Sequence, residues 1–446
     1  MHRVAPALAM IRNIFGSQTG RGAAFWIVNL LIALVVPSPI AVPVLIARFR
    51  RAPPPRRPST DAPVSGLRAR EDAPAHAVPT KEDHRMSEAS LFAPTQLGSV
   101  ALKNRVVMAP MTRGRTVGAN VPNALMAEYY AQRAGAGLIV TEGTSPSPNG
   151  TGYARIPGIW SPGQVEGWRQ VTDAVHARDG RIFVQLMHTG RVGHPANLAP
   201  GAELLAPSAV AAPGVVHTDA AGPQPIPVPR AMTDAEVRHA IEELVTAARN
   251  AVEAGFDGVE LHGANGYLLE QFLSPETNRR TDMWGGSVEK RITFVVEAAR
   301  VVAAAIGGER VGLRLSPYGV NAGMKPYPEI EETYAKLVAE LVPTGIEYLH
   351  LVDHSAMGAP SVPAALKRLL RQAWPRTFNL AGGFDRASAE AALRDGGADL
   401  VAFGRPFLAN PDLVARLERG LQLNPPHAAS FYTPGSKGYT DYPAAA

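Results

Sequence analysis

After Met86, the sequence alternates short apolar runs with longer stretches in which apolar residues recur every three or four positions. A short continuous apolar run is typical of a buried strand, and the three-to-four spacing is typical of an amphipathic helix. Eight such runs occur, and a helical stretch follows each of them. The predicted strands are residues 105–110, 137–143, 181–188, 256–263, 310–317, 346–353, 377–383 and 398–405.

The alternation of strands and helices favours a parallel sheet whose outer face is covered by helices. Eight units of this kind predict a closed (β/α)8 TIM barrel. An open doubly wound sheet is the alternative, but the sequence APMTRGR after the first predicted strand lacks the glycine-rich turn of that fold. The stretch from Thr189 to Met232 is predicted to be an insertion after the third strand that lies over the barrel mouth.

The segment before Met86 has a different character. Residues 1–51 are apolar and basic, and the uncharged run 23–47 has the length and the arginine flanks of a membrane anchor. Three prolines in that run would break a helix in lipid, so a misassigned start codon is the other interpretation. Residues 52–85 are rich in Pro and Ala without periodicity, which is typical of a linker. Residues 86–446 are therefore the predicted barrel domain.

Charge and composition exclude several classes of function. The net charge of +5 comes from residues 1–85, which hold 12 Lys and Arg against 5 Asp and Glu. The remaining residues show no basic surface of the kind that tracks nucleic acid. Because the chain has no Cys, it forms no disulfide, no thiolate-bound zinc site and no iron–sulfur cluster, and it has no cysteine nucleophile.

Polar residues follow the predicted strands at their C-terminal ends, where TIM barrels place their chemistry. Two glycines after the seventh strand, Gly382 and Gly383, and the pair Gly404 and Arg405 after the eighth are predicted to bind a phosphate. Gln185 and Arg314 are expected to point inward. An amide beside a cation would suit the pyrimidine edge of a flavin ring.

Several segments resemble the Old Yellow Enzyme family, specifically its bacterial alkene reductases of the N-ethylmaleimide reductase type. The resemblance extends over residues 90–443 and rests on the segments NRVVMAPMTR, FVQLMHTGR, ELHGANGYLLEQFLSPETNRRTDMWGGSVEKR, LRLSP, AFGRPFLANPDLVARL and SFYTPGSKGYTDYP. It implies a barrel that holds FMN non-covalently and is reduced by NAD(P)H. It also implies hydride transfer from flavin N5 to the β-carbon of an alkene conjugated to a carbonyl or nitro group.

The resemblance also implies roles for individual residues. Tyr267 would give a proton to the α-carbon, while His262 and Asn265 would bind the electron-withdrawing oxygen of the substrate. Tyr153 and Met187 would line the substrate pocket. The implied cofactor-binding residues are Pro110, Met111, Thr112, Gly143, Gln185, Arg314, Gly382, Gly383, Gly404 and Arg405.

This sequence departs from the family pattern in places. Many bacterial relatives carry His in place of Asn265 and an aromatic residue in place of Met187, so we expect an altered substrate preference and a roomier pocket. The loop VDHSAMGAP after the sixth strand, residues 352–360, matches no family motif that we can assign. The expected partners are small electrophilic alkenes, with no nucleic acid, and the expected location of the barrel is the cytoplasm. A membrane contact is expected only through residues 23–47.

A metal-dependent aldolase or hydrolase is the alternative function. Carboxylate and imidazole side chains at strand ends can bind a divalent cation. The candidate ligands for such a site are Glu260, His262, Asp353 and His354. A purified flavoprotein is yellow, whereas a metal hydrolase is colourless.

We predict that a chain starting at Met86 folds and binds FMN without the preceding residues, because all eight predicted strands and every candidate site residue follow Met86. Its absorbance spectrum and alkene turnover should equal those of any longer form. A Met86 chain that lacked FMN, beside a full-length chain that retained it, would make residues 1–85 part of the fold.

Overall fold

The computed structural model describes residues 90–445 of the 446-residue chain. The predicted anchor segment and linker, residues 1–51 and 52–85, lie outside the described residues, as does the apolar run 23–47. Among residues 90–445, none of the helices combines the length and the apolar character needed to cross a membrane.

The described residues form short strands and α-helices in alternation. The strands are β1 (Thr95–Leu97), β2 (Val100–Leu102), β3 (Val106–Met108), β4 (Leu138–Thr144), β5 (Ile182–Leu186), β6 (Leu205–Ala206), β7 (Val215–Thr218), β8 (Gly222–Pro225), β9 (Arg230–Ala231), β10 (Gly258–Gly263), β11 (Val311–Leu315), β12 (Tyr348–Val352), β13 (Thr377–Ala381) and β14 (Leu400–Phe403). The α-helices are α1 (Ala124–Gln132), α2 (Pro162–His176), α3 (Asp234–Glu253), α4 (Leu268–Leu273), α5 (Val288–Ile306), α6 (Ile330–Leu341), α7 (Ala364–Ala373), α8 (Arg386–Arg394), α9 (Arg405–Ala409) and α10 (Leu413–Arg419).

Eight of the strands close into a barrel in the order β3-β4-β5-β10-β11-β12-β13-β14, and β14 pairs with β3. Every neighbouring pair is parallel, so the C-terminal ends of all eight strands meet at one face. Each barrel strand overlaps one of the eight predicted strands. The predicted TIM barrel is thus confirmed, and the open doubly wound sheet is wrong.

Two apolar layers hold the barrel together. An outer layer packs the strands against the helices, and an inner layer fills the barrel with side chains such as Val107, Phe183 and Tyr348. The antiparallel hairpin β1–β2, which the sequence pattern did not predict, adds Leu97 and Leu102 to the inner layer. This hairpin covers the N-terminal end of the barrel, because its turn lies against the residues that precede β11.

The helices begin at residues that satisfy their first backbone N–H groups. Ser161 and Gln164 form a capping box at α2, and Thr233 and Glu236 form one at α3. Gly255 follows the end of α3 with a φ of 88°, a conformation that glycine adopts without strain. These residues fix where α2 and α3 begin and where α3 ends.

The predicted insertion after the third barrel strand is confirmed. Between β5 and α3 the chain forms the antiparallel hairpin β7–β8 and the short parallel pair β6–β9. Thr218 caps the turn of the hairpin by accepting a hydrogen bond from the Ala221 backbone N–H at 3.1 Å. The hairpin contributes Val215, Val216 and His217 to a cavity at the C-terminal face of the barrel.

The C-terminal tail, residues 428–442, is fastened to the same face by two arginines that follow β3. Arg113 donates to the backbone carbonyls of Phe431 at 3.2 Å and Gly438 at 2.8 Å, and its guanidinium lies beside the stacked rings of Tyr129 and Tyr439. Arg115 donates to the Ser430 carbonyl at 2.7 Å. The first loop of the barrel therefore fixes the tail.

We predict that Arg113→Met destabilises the fold by about 2–4 kcal/mol, because it removes the side-chain donor to the buried Gly438 carbonyl and the cation beside the stacked rings of Tyr129 and Tyr439. Urea denaturation followed by circular dichroism measures the loss. Arg300→Met is the matched control, since Arg300 forms an exposed ion pair with Glu297 and should cost about 0.5 kcal/mol or less. Equal effects of the two substitutions would contradict the fastening role.

Candidate active site

A cavity of about 430 Å³ opens at the C-terminal ends of the barrel strands. Residues that follow β3, β10, β13 and β14 line it, together with Arg314 of β11, the loop after β12 and the tail. Nine predicted site residues meet in its wall, namely Pro110, Met111, Thr112, Asn265, Arg314, Gly382, Gly383, Gly404 and Arg405.

One end of this cavity is built from backbone without side chains. Gly382 and Gly383 have φ values of 152° and 77°, and a Cβ atom on Gly382 would lie 2.8 Å from the Asp353 carbonyl oxygen. Arg405 is exposed beside them, and its guanidinium forms no hydrogen bond or ion pair with another residue in 90–445. Open backbone N–H groups beside a free guanidinium can bind a phosphate group.

The same cavity is lined by a buried cation. Arg314 is 6% exposed, its Nε has no partner, and its guanidinium pairs with no carboxylate among the described residues. Burial lowers the pKa of Arg314, and the negative charge of Glu260 opposes that shift. A buried guanidinium without a partner is costly, so this cavity favours a ligand with oxygen atoms or negative charge beside Arg314.

Glu260 organises the polar side chains inside the barrel below the cavity. It accepts hydrogen bonds from Gln185 Nε2 at 2.8 Å, His350 Nδ1 at 2.8 Å and the Tyr348 hydroxyl at 3.0 Å. Although burial alone would raise it, the pKa of Glu260 is lowered by His350, Arg314 and Gln185. Burial lowers the pKa of His350, so we describe the pair as a carboxylate with a neutral imidazole donor. The Gln185 amide nitrogen faces Glu260, which leaves its oxygen for another donor.

A second cavity of about 700 Å³ adjoins the first and shares Thr112 and Tyr432 with it. The hydroxyls of Tyr153 and Tyr267 are 3.1 Å apart in its wall. Burial raises the pKa of Tyr267, so its hydroxyl keeps its proton at neutral pH.

His262 lies behind Tyr267, with 5.0 Å between the two ring centroids. Burial is the main cause that lowers the pKa of His262 well below 6.5, and Arg314 adds to it. The imidazole is therefore neutral. Its Nδ1 is buried without a partner among the described residues, so the ring has hydrogen-bonding capacity to spare.

Four predicted site residues line neither cavity. Gln185, His262 and Met187 are at most 2% exposed, and Gly143 is buried where the pairing of β4 with β5 shifts register. A Cβ atom on Gly143 would lie 2.4 Å from the Met187 sulfur, so Met187 packs against the strand. Their roles toward cofactor and substrate stay predictions.

The structure also identifies residues to which the sequence assigned no role in a flavin site. His354, in the unassigned loop, has its Nε2 2.7 Å from the Asn265 Oδ1. Phe431 and Tyr432 of the tail line the first cavity. Tyr348 and His350 lie two residues apart on β12, and both contact Glu260. Because every second residue of a barrel strand faces inward, the sequence could have indicated that these two side chains point into the barrel.

Three of the four candidate metal ligands are engaged in separate contacts, and the fourth, His262, packs on the ring of Tyr267. Asp353 pairs with Lys367 at 2.6 Å and accepts from the Ser355 backbone N–H, Glu260 is held by its three donors, and His354 contacts Asn265. Within residues 90–445, no three His, Asp or Glu side chains are grouped as metal ligands would be. The metal-dependent aldolase or hydrolase is wrong, as the comparisons with known proteins also indicate.

The model of the NADH:flavin oxidoreductase / NADH oxidase family matches residues 90–424. The chain is 42% identical over 368 residues to the chanoclavine-I aldehyde reductase fgaOx3 of Penicillium roqueforti, an alignment that covers 79% of this chain and 95% of that protein. It is 41% identical over 359 residues to a probable flavin mononucleotide-dependent alkene reductase of Leishmania infantum, an alignment that covers 79% of this chain and 97% of that protein. The structure of morphinone reductase in complex with tetrahydroNAD matches with a TM-score of 0.76 and 44% identity, covering 80% of this chain and 98% of that one.

The chain belongs to the NADH:flavin oxidoreductase / NADH oxidase family, which confirms the predicted Old Yellow Enzyme relationship. It is an FMN-dependent ene-reductase that uses NADH or NADPH. The first cavity fits FMN by its own chemistry. It offers open glycine backbone, the free guanidinium of Arg405 and the buried guanidinium of Arg314, whose Nε lacks a partner among the described residues.

We predict that Arg405→Ala weakens FMN binding by about 1.5–3 kcal/mol, which is roughly 10- to 150-fold in the dissociation constant, because one charge-assisted contact to phosphate is lost. Fluorescence titration of the apoprotein with FMN measures the change. Arg394→Ala removes another exposed arginine, at the end of α8, and should leave the affinity unchanged. Undiminished affinity in Arg405→Ala would place the phosphate elsewhere.

Proposed function

We propose that this enzyme reduces the C=C bond of small alkenes conjugated to a carbonyl or nitro group, with Tyr267 as the proton donor and with His262 and Asn265 as donors to the activating oxygen. The observation that carries the proposal is the position of Tyr267. Its protonated hydroxyl lines the second cavity, its ring packs on the neutral His262, and Asn265 lines the adjoining cavity.

Bound FMN would supply the hydride, taken from NAD(P)H and delivered to the β-carbon of the alkene. Arg405 and the three glycines Gly382, Gly383 and Gly404 would hold the phosphate. Gln185 and Arg314 would hold the pyrimidine edge of the ring, and Pro110, Met111 and Thr112 would contact its rim. The neighbouring Glu260 carboxylate supports this assignment, because it orients Gln185 and partly balances the charge of Arg314.

His262 and Asn265 would stabilise the negative charge that develops on the substrate oxygen. Both are neutral donors, and hydrogen bonds aimed at a developing oxyanion act more strongly in a water-poor site than in solution. Burial keeps the pKa of His262 well below 6.5, so the ring donates without carrying a charge at neutral pH. The positive charge of Arg314 remains available to the cofactor.

Tyr267 would give its proton to the α-carbon, which completes the addition of a hydride and a proton across the C=C bond. The phenolate that remains needs a donor. The Tyr153 hydroxyl, 3.1 Å away, is placed to give that hydrogen bond. Tyr153 would thus stabilise Tyr267 after the transfer in addition to lining the substrate pocket.

The second cavity would take the body of the substrate. Val215 and Val216 of the hairpin β7–β8 and the tail residues Ala428 and Ala429 give it largely apolar walls. Arg155 stands at its edge and pairs with Asp219, so it offers no free charge. These walls favour uncharged alkenes over anionic ones.

Within the family we propose the alkene reductases of the N-ethylmaleimide reductase type as the subgroup of this enzyme. The segments ELHGANGYLLEQFLSP and AFGRPFLANPDLVARL support this assignment. Turnover of N-ethylmaleimide, cyclic enones, nitroalkenes and conjugated aldehydes with NADH and with NADPH tests it. Faster turnover of polycyclic enones than of maleimides would place the enzyme elsewhere in the family.

We further propose that residues 86–446 act in the cytoplasm and that residues 1–85 take no part in catalysis. The cavities and every proposed catalytic residue follow Met86. Fractionation of cells that express the full chain tests whether the apolar run 23–47 attaches it to membranes.

We predict that Tyr267→Phe slows the reoxidation of the reduced enzyme by enones by about 10²- to 10⁴-fold, since general acid catalysis contributes on that scale. Flavin reduction by NAD(P)H should stay close to that of the unmodified enzyme in stopped-flow traces. Tyr153→Phe should slow the same reoxidation step by a smaller factor, roughly two- to tenfold, as one hydrogen bond to the phenolate is lost.

Nitroalkenes serve as the internal control for this assignment. A nitronate is stable enough to leave and take its proton from water, so both variants should lose less activity with nitroalkenes than with enones. Equal slowing of flavin reduction and reoxidation in Tyr267→Phe would remove Tyr267 from the role of proton donor.

A further inference from the structure

The side-chain oxygen of Asn265 is held by two residues from distant loops. His354 Nε2 lies 2.7 Å from the Asn265 Oδ1, and Asn321 Nδ2 donates to the same oxygen at 3.5 Å. The backbone of Asn265 is fixed as well, with a φ of 61° and an N–H that donates to the Ser316 Oγ at 2.9 Å. Both side chains therefore contact the amide oxygen of a residue whose backbone is already constrained.

An amide has one accepting oxygen and one donating nitrogen, so a donor on the oxygen fixes how the group is turned. Asn265 Nδ2 hydrogen-bonds to none of the other residues in 90–445, and Asn265 lines the first cavity beside Arg314 and Thr112. With His354 protonated on Nε2, a turned amide would place its NH2 group against the N–H groups of His354 and Asn321. The arrangement leaves the Asn265 N–H groups for a ligand.

His354 can donate at neutral pH because its neutral ring can carry the proton on Nε2. Burial, followed by the nearby Arg314, lowers the pKa of His354 to about 4, and Asp353 opposes the shift. The ring therefore adds no positive charge beside Arg314.

We propose that His354 is a positioning residue that turns the Asn265 amide so that its N–H, and not its oxygen, faces the substrate oxygen. This inference rests on the proposed function, in which Asn265 binds that oxygen. Although His354 lines part of the first cavity, in this role it acts through Asn265.

The loop that carries His354 is built to hold it in place. The 3-10 turn His354–Met357 begins at Asp353, whose Oδ1 accepts from the Ser355 N–H at 2.9 Å. Lys367 of α7 pairs with the other oxygen of Asp353 at 2.6 Å. Gly358 ends the turn with a φ of 88°. The His354 imidazole therefore belongs to a short capped turn that an ion pair joins to α7.

A double-mutant cycle tests the inference, with the enone reoxidation rate as its readout. The variants are His354→Leu, which removes the donor, His354→Gln, which keeps an N–H donor, Asn265→Ala, and the double variant His354→Leu with Asn265→Ala. Each rate is normalised to bound FMN and divided into maximal rate and substrate dependence. His239→Leu, an exposed histidine of α3, is the matched control.

We expect His354→Leu to slow enone reoxidation about three- to tenfold, the usual contribution of one hydrogen bond. His354→Gln should recover most of the rate, and His354→Leu should add less than twofold once Asn265 is Ala. The control should retain the rate of the unmodified enzyme.

Three results would overturn the inference, and one would instead overturn the proposed function. A His354→Leu rate within twofold of the unmodified enzyme, a His354→Gln rate as low as that of His354→Leu, or equal slowing in the Asn265→Ala background would each show that His354 does not orient the amide. An Asn265→Ala enzyme with an unchanged enone rate would remove Asn265 from the proposed function itself.

Discussion

The arrangement of the site depends on one buried carboxylate. Glu260, on β10, is fully enclosed and accepts hydrogen bonds from Gln185 on β5 and from Tyr348 and His350 on β12. A buried charge is tolerated only when its lone pairs are satisfied, and here side chains from two other strands satisfy them. The same charge lies within electrostatic reach of Arg314 on β11. Glu260 therefore fixes the amide and, in part, offsets the cation that we assign to the flavin ring, although it contacts neither cavity.

The Glu260 carboxylate is already taken by its three hydrogen-bond donors. Arg314 therefore has no carboxylate of its own among the described residues. That incomplete pairing marks a binding site, since a folded protein rarely leaves a guanidinium buried and free. On the substrate side the groups are neutral, as burial suppresses the charge of His262 and keeps the proton on Tyr267. The site thus separates a charged end for a cofactor from an uncharged end for proton transfer, and the two cavities meet at Thr112 and Tyr432.

The sequence predicted the barrel because buried parallel strands are continuously apolar, and it predicted the residues at the strand ends because parallel strands place them on one face. It did not predict β1–β2, whose three-residue strands are too short for a periodic signal. It also missed contacts such as Arg113 with the tail, more than 300 residues away. Such contacts depend on how loops of different strands meet, and local pattern carries no information on that. The sequence also did not predict that Met187 is buried against Gly143, because this contact too depends on how segments from different strands meet.

Two departures from the family pattern become one feature in the structure. The sequence differs from many bacterial relatives in having Asn265 where they carry His, and the loop with His354 matches no motif that we could assign. A histidine can present an N–H after a change of tautomer, whereas an asparagine must be turned the right way round, because its oxygen would repel a developing oxyanion. The 2.7 Å contact between His354 and Asn265 supplies that orientation. In this chain the donor that orients the asparagine comes from the loop after β12, on the far side of the amide from the ligand.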